Sequence, residues 1–128
     1  MASDEPGMLE LAERFFAAVT AGDLEAVRAM YAPDAVVWHN YDRASQSVDE
    51  NLRVLGALPS LVENFRYDDV RRQATLDGFI EQHVVRGTTP GGDELDIPAC
   101  IVCTVVGGRI TRLDEYFDSS HIAPLLRP

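Results

Sequence analysis

The hydrophobic period of this chain changes partway along, and that change restricts the folds open to it more than any other feature. Leu9, Leu11, Ala12, Phe15, Phe16 and Val19 recur at helical spacing, which predicts an amphipathic first helix. Gly22 stops it, and Asp23 caps a second short helix carrying Leu24, Val27, Met30 and Tyr31. Pro33 and Asp34 are read as the end of that helix, and Ala35 to Tyr41, with Trp38 inside it, as a first strand. Ser47-Val48-Asp49-Glu50 is a capping box, in which the serine serves the amide three residues on and the glutamate reaches back. It opens a third helix through Leu52, Leu55 and Leu58, with Pro59 placed to end it. Extended segments follow: Phe65 to Ala74, Phe79 to Arg86, Glu94 to Val106 and Arg109 to Phe117. The turns at Asp77-Gly78 and Gly107-Gly108 and the loop from Thr88 to Asp93 are short, which implies antiparallel neighbours. Ser119 to Leu126 reads as a short closing helix interrupted by Pro124. Helices first and a sheet second give an α+β fold, in which a strongly curved sheet can close on the helices around a cavity.

Length and charge bound the rest. A chain of 128 residues suits one domain, 1–128, large enough to bury a core without a disulfide or metal staple. Met1 to Gly7 is short, acidic and polar; it is expected to be disordered, and it lacks the basic and apolar regions of a secretory signal. A cytoplasmic location is the expectation. The formal net charge of −10 argues against nucleic acid and against anionic membranes, both of which call for a Lys/Arg surface. No apolar run approaches the roughly 20 residues of a membrane span. Cys100 and Cys103 have CxxC spacing but lie in a β-branched run, where residues three apart point to opposite faces. They read as separate core thiols rather than a redox or metal pair.

The run from Leu24 to Trp38 (LEAVRAMYAPDAVVW) resembles the opening signature of the nuclear transport factor 2-like superfamily, and Gly107 to Asp118 (GGRITRLDEYFD) resembles its last strand. With the element order, the likeness spans nearly the whole chain. It implies a single SnoaL-like domain with the cone-shaped, cystatin-like arrangement: three N-terminal helices packed on a strongly curved mixed, mainly antiparallel sheet. The superfamily includes ketosteroid isomerases, SnoaL-like polyketide cyclases, limonene epoxide hydrolases, scytalone dehydratases and non-enzymatic binding or dimerisation modules. The resemblance further implies a homodimer, formed through the outer face of the sheet.

Among these the pattern is most similar to limonene epoxide hydrolase. The Tyr-x-Asn of that family falls on Trp38 and Asn40, and the acid before its Tyr-Phe-Asp falls on Glu115. Its Arg-x-Asp falls on Glu81 and His83, with a one-residue gap that leaves Gln82 and Val84 as the other occupants. The resemblance therefore implies Glu115, His83 and Asn40 as catalytic candidates. Trp38 and Glu81 join Leu113, Phe117, Ile101 and Phe15 as candidate substrate-binding residues. Strand alternation supports the grouping: Glu115 shares a face with Leu113 and Phe117, and His83 with Phe79, Glu81 and Val85. Ile97, Ala99, Ile101 and Cys103 make a further wall. On the first strand, Val36, Trp38 and Asn40 are assigned inward, which turns His39 outward.

A carboxylate in an apolar pocket has its charged form disfavoured and becomes a usable proton shuttle near neutrality. Glu115 is thus read as acid or base, His83 as its partner, Asn40 as a hydrogen-bond donor and Trp38 as a stacking wall. No HExxH, His-rich cluster or Gly-rich phosphate loop is present, so no metal or other cofactor is expected. The expected function is cofactor-free acid/base chemistry on a small hydrophobic molecule, of isomerase, cyclase, dehydratase or hydrolase type. The alternative is a non-catalytic module of the same fold that binds a hydrophobic ligand or dimerises.

Overall fold

Residues 5–126 are described by a computed structural model, and their element order follows the change of period. Helices α1 (Glu5–Ala21) and α2 (Leu24–Met30) precede strands β1 (Tyr31–His39) and β2 (Ser45–Gln46). Helix α3 (Val48–Leu61) leads into β3 (Glu63–Thr75), β4 (Gly78–Thr88), β5 (Glu94–Val106) and β6 (Arg109–Phe117), and a 3₁₀ segment (Ser119–Leu126) closes the chain. The order across the sheet is β2-β1-β6-β5-β4-β3. β1 runs parallel to β6, and the other neighbours pair antiparallel.

The helix signals act as read. α1 buries Leu11, Phe15, Phe16 and Val19 and gives way to Gly22, which takes the left-handed conformation at φ 71. The Asp23 carboxylate accepts from the Ala26 amide at 3.2 Å. At α3, the Glu50 amide donates to Ser47 Oγ and the Ser47 amide donates to Glu50 Oε1.

Several boundaries differ from the sequence reading. Glu5, Pro6 and Gly7 belong to α1 instead of a disordered end, and residues 1–4 lie outside the described range. α2 ends at Met30, and Tyr31 is already extended, so Pro33 and Asp34 sit inside β1. They fall in the stretch where the β1/β6 register breaks, between Tyr31 and Val36, so the proline's missing N–H removes no ladder bond there. β1 accordingly begins before Ala35 and ends at His39. α3 continues past Pro59 to Leu61, where the Val62 amide donates to the Leu58 carbonyl at 2.8 Å. The two-residue strand β2 carries no sequence signal of its own.

Curvature comes from breaks in the ladders. β3 and β4 shift register between Asp68 and Arg71, where Asp69 takes φ 54, and β5 and β6 shift between Thr104 and Val105. Such bulges bend the bulged strand and increase its twist. The concave face receives α1, whose Phe16 ring meets Phe79 and Tyr67 edge-on. A main core forms there around Phe15, Val27, Tyr31, Val37, Ile110 and Leu113. A smaller one, Val62, Val85, Leu95 and Ile97, packs under Ile122 and Leu125 of the closing segment. Cys103 is buried and Cys100 only partly so, both free, as the strand parity required. Among the described residues no helix is long and apolar enough to cross a membrane.

Candidate functional site

Between the two cores the concave face leaves a cavity of about 240 Å³. Phe15 and Phe16 of α1, Leu55 and Leu58 of α3, and Ile122 and Leu125 of the closing segment wall it on one side. Tyr67, Ile101, Leu113 and Phe117 wall it on the sheet side. The volume is well beyond that of a single water and suits a small ligand.

The polar centre of this cavity is a pair brought together by strand register. Parallel pairing sets His39 of β1 opposite Glu115 of β6, and Ile101 of β5 flanks Glu115 on the other side. His39 Nε2 lies 3.1 Å from Glu115 Oε1, with side chains only 15% and 21% exposed. Burial pushes the His39 pKa down, but the hydrogen bond to Glu115, its charge and that of Asp42 outweigh it, and the pKa ends above the ordinary histidine value. His39 Nδ1 is buried and has no hydrogen-bond partner among the described residues. With Nε2 turned to the carboxylate, Nδ1 is the ring nitrogen left without a protein partner.

Two further polar groups reach the cavity wall. The Tyr31 hydroxyl donates to Asn51 Oδ1 at 2.9 Å, and Asn51 Nδ2 donates to Gln46 Oε1 at 3.3 Å. Burial raises the Tyr31 pKa far above the ordinary tyrosine value, so the phenol stays protonated. Tyr41 stands at the mouth, 47% exposed, with its ring 5.8 Å from that of His39 and 5.4 Å from that of Phe117.

A second polar cluster lies behind the wall. Glu81, wholly buried, takes Arg72 Nε on one oxygen and lies 2.5 Å from His83 Nδ1 with the other. The Tyr67 ring stacks on His83 at 4.2 Å, and Phe16 meets it edge-on at 5.4 Å. These rings stand between the cluster and the cavity, and His83 Nε2 is buried without a partner. The carboxylate here is shared by two basic side chains, an arrangement that fixes β3 against β4.

The sequence-read candidates therefore divide. Glu115, Leu113, Phe117, Ile101 and Phe15 line the cavity. His83 and Glu81 face inward, as alternation required, but they pair with each other and are covered by Tyr67. The assignment on β1 is corrected. Its buried positions are Tyr31, Ala35 and Val37, and the same alternation brings His39 to the cavity. Trp38 is on the opposite face, where its ring packs against Tyr116 at 5.4 Å. Asn40 donates Nδ2–H to the Phe117 carbonyl and accepts from the Phe117 amide, both at 3.0 Å, so its side chain is spent on the end of β6. The physical reason is that both faces of β1 are apolar, Val36 and Trp38 on one and Ala35 and Val37 on the other, so the hydrophobic pattern carries no parity. His39, Tyr31, Tyr41, Tyr67 and Asn51 escaped the sequence reading as site residues. For His39 the available signal was its spacing from Ala35 and Val37. Among the described residues no cluster of three His, Cys, Asp or Glu is placed to hold a metal.

The cone of helices on a curved sheet is that of the nuclear transport factor 2-like proteins, and the chain belongs to the SnoaL-like domain family, which it matches over residues 12–113. An NTF2-like protein from Burkholderia xenovorans superposes with a TM-score of 0.82 at 17% identity, over 98% of this chain and 100% of that one. An LEH-like epoxide hydrolase of Mycobacterium tuberculosis superposes with a TM-score of 0.78 at 21% identity, over 97% of this chain and 92% of that one. In sequence, an uncharacterized protein of M. tuberculosis is 30% identical over 116 residues, 85% of this chain and 87% of its own length.

Proposed function

We propose that this chain is an enzyme that takes a small, mostly hydrophobic substrate into the cavity and moves a proton with the Glu115–His39 pair. The observation that carries the reading is a carboxylate and an imidazole 3.1 Å apart inside an apolar chamber, with His39 Nδ1 unpartnered. His39 orients Glu115 through Nε2, and its protonated form is favoured while the carboxylate is charged. Glu115, with its second oxygen free of protein partners among the described residues, is the base that removes a proton from substrate or water and the acid that returns it. The protonated Tyr31 phenol supplies a neutral polar edge to the same chamber. Isomerisation, cyclisation, dehydration and hydration all reduce to such a transfer. The epoxide-hydrolase neighbour supports an enzyme of this class. Epoxide opening itself is the weakest of these readings, because the residues at the Arg-x-Asp position, Glu81 and His83, are closed off behind Tyr67.

The protein is proposed to act as a cytoplasmic homodimer, paired through the outer sheet face, where Tyr116 is exposed beside Trp38. The test is turnover of a panel of small enolisable ketones, β-hydroxy carbonyls and epoxides by the wild type, Glu115→Gln and His39→Gln. Turnover lost in both variants supports the proposal. Turnover unchanged in Glu115→Gln sinks it. Ligand binding with no turnover by wild type favours the non-catalytic binding module.

A further inference from the structure

The chamber has a distinctive charge and ring content. α1 supplies Phe15 and Phe16, β1 and the loop after it Tyr31 and Tyr41, and the sheet Phe65, Tyr67 and Phe117. Among the described residues the only carboxylate on the wall is Glu115 and no arginine reaches it; the sequence contains no lysine. The arginines nearest in the sheet are committed elsewhere: Arg72 to Glu81, Arg112 to Asp114, and Arg86 to Asp68 and Asp96. A desolvated anion would find one imidazole to meet it, opposed by the carboxylate. A desolvated cation would find a carboxylate oxygen without a protein partner and aromatic rings around it, the two features that stabilise ammonium groups in apolar sites.

We propose that the ligand of this cavity carries a protonated aliphatic amine, held at Glu115 and walled by the aromatic rings, with the rest of the molecule apolar. This rests on the proposal that the cavity is the substrate site, and it narrows the substrate class to hydrophobic amines. Tyr41 belongs to the recognition because it stands at the mouth within ring contact of both His39 and Phe117.

The test uses three probes of matched shape that differ in charge: benzyldimethylamine, protonated near neutral pH, its carbon isostere isobutylbenzene, and phenylacetate. Binding to the full chain is followed by ring and amide NMR shifts. The amine is expected to bind roughly tenfold or more tighter than isobutylbenzene, with phenylacetate weakest. Glu115→Gln is expected to abolish the amine's advantage while leaving isobutylbenzene affinity within about twofold. Tyr41→Leu, at a half-exposed position, is expected to reduce that advantage severalfold. Equal affinity for amine and isostere overturns the charge preference and leaves the pocket reading standing. Phenylacetate binding tightest overturns it in favour of an anion held by His39. Shifts from none of the three probes remove the pocket reading and this inference with it.

Discussion

Asn40→Ala offers the most direct check on the rebuilt site, because the sequence and the structure give this residue different work. Its side chain makes two hydrogen bonds to the backbone of Phe117, each 3.0 Å, and its own amide donates to the Glu115 carbonyl at 3.0 Å. The substitution keeps the amide bond and removes the side-chain pair. A net ~1 kcal/mol for each intramolecular hydrogen bond gives about 2 kcal/mol of destabilisation. Partial exposure of the segment lets water reach the freed groups and holds the cost near that value instead of the full penalty of buried orphans. With a urea m-value of about 2 kcal/mol/M, the midpoint should fall by roughly 1 M. Trp38 fluorescence and circular dichroism during urea unfolding measure it. The clamp also holds the end of β6 against β1, so loosening it should weaken the His39–Glu115 contact and bring the His39 titration back toward the ordinary value. A midpoint unchanged to within about 0.2 M, with His39 titrating as in wild type, would refute the clamp and return Asn40 to the pool of ligand-binding donors.

Other perturbations test other parts of the argument. Glu115→Gln removes the charge that outweighs burial at His39, so the His39 pKa should drop below the ordinary value, read from its ring NMR signals against pH. In wild type the raised folded pKa contributes stability that is fully present below the unfolded value and is lost as pH rises through the folded one; in Glu115→Gln the dependence should reverse, with stability falling as the solution is acidified. Tyr31→Phe leaves the buried Asn51 Oδ1 without its donor and should cost about 1–3 kcal/mol in urea unfolding, and a cost under 0.5 kcal/mol would mean that water replaces the phenol. At Gly78 an added Cβ would lie 1.8 Å from the Cys103 carbonyl oxygen, a backbone atom that cannot step aside, so Gly78→Ala should destabilise by about 4 kcal/mol or more and shift amide NMR signals along β4 and β5.

What could be read from the residues follows from where each signal is stored. The capping box at Ser47 and Glu50 and the left-handed stop at Gly22 are local, made by side chains a turn apart, and both form as written. The parity of β4 and β6 was also legible. On β6 Glu115 is the one acid on the face it shares with Leu113 and Phe117, and on β4 Phe79 and Val85 bracket Glu81 and His83, so one face is marked by its apolar members. Burying the other face would have exposed those rings. β1 lacks such a mark, since it is a strand with apolar residues on both sides, and its facing is decided by pairing. The parallel ladder with β6, formed between segments from opposite parts of the chain, selects His39 as the neighbour of Glu115.

That dependence has a consequence for how the chemistry is built. Two inward acids were visible in the sequence, Glu81 and Glu115, with His83 the natural partner for either. Two residues apart on one strand, Glu81 and His83 share a face and meet without any help from topology, and Arg72 from β3 completes the neutralisation of the carboxylate. Both oxygens of that carboxylate are occupied, and with Tyr67 stacked over His83 it is out of reach of a ligand. Glu115 meets its imidazole only across the one parallel ladder of the sheet, keeps an oxygen without a protein partner among the described residues, and faces the cavity. The local pair is therefore the structural one, and the proposal places the chemistry on the long-range pair. Exchanging the roles experimentally is direct: Glu81→Gln should be felt mainly in stability, and Glu115→Gln mainly in ligand binding and turnover.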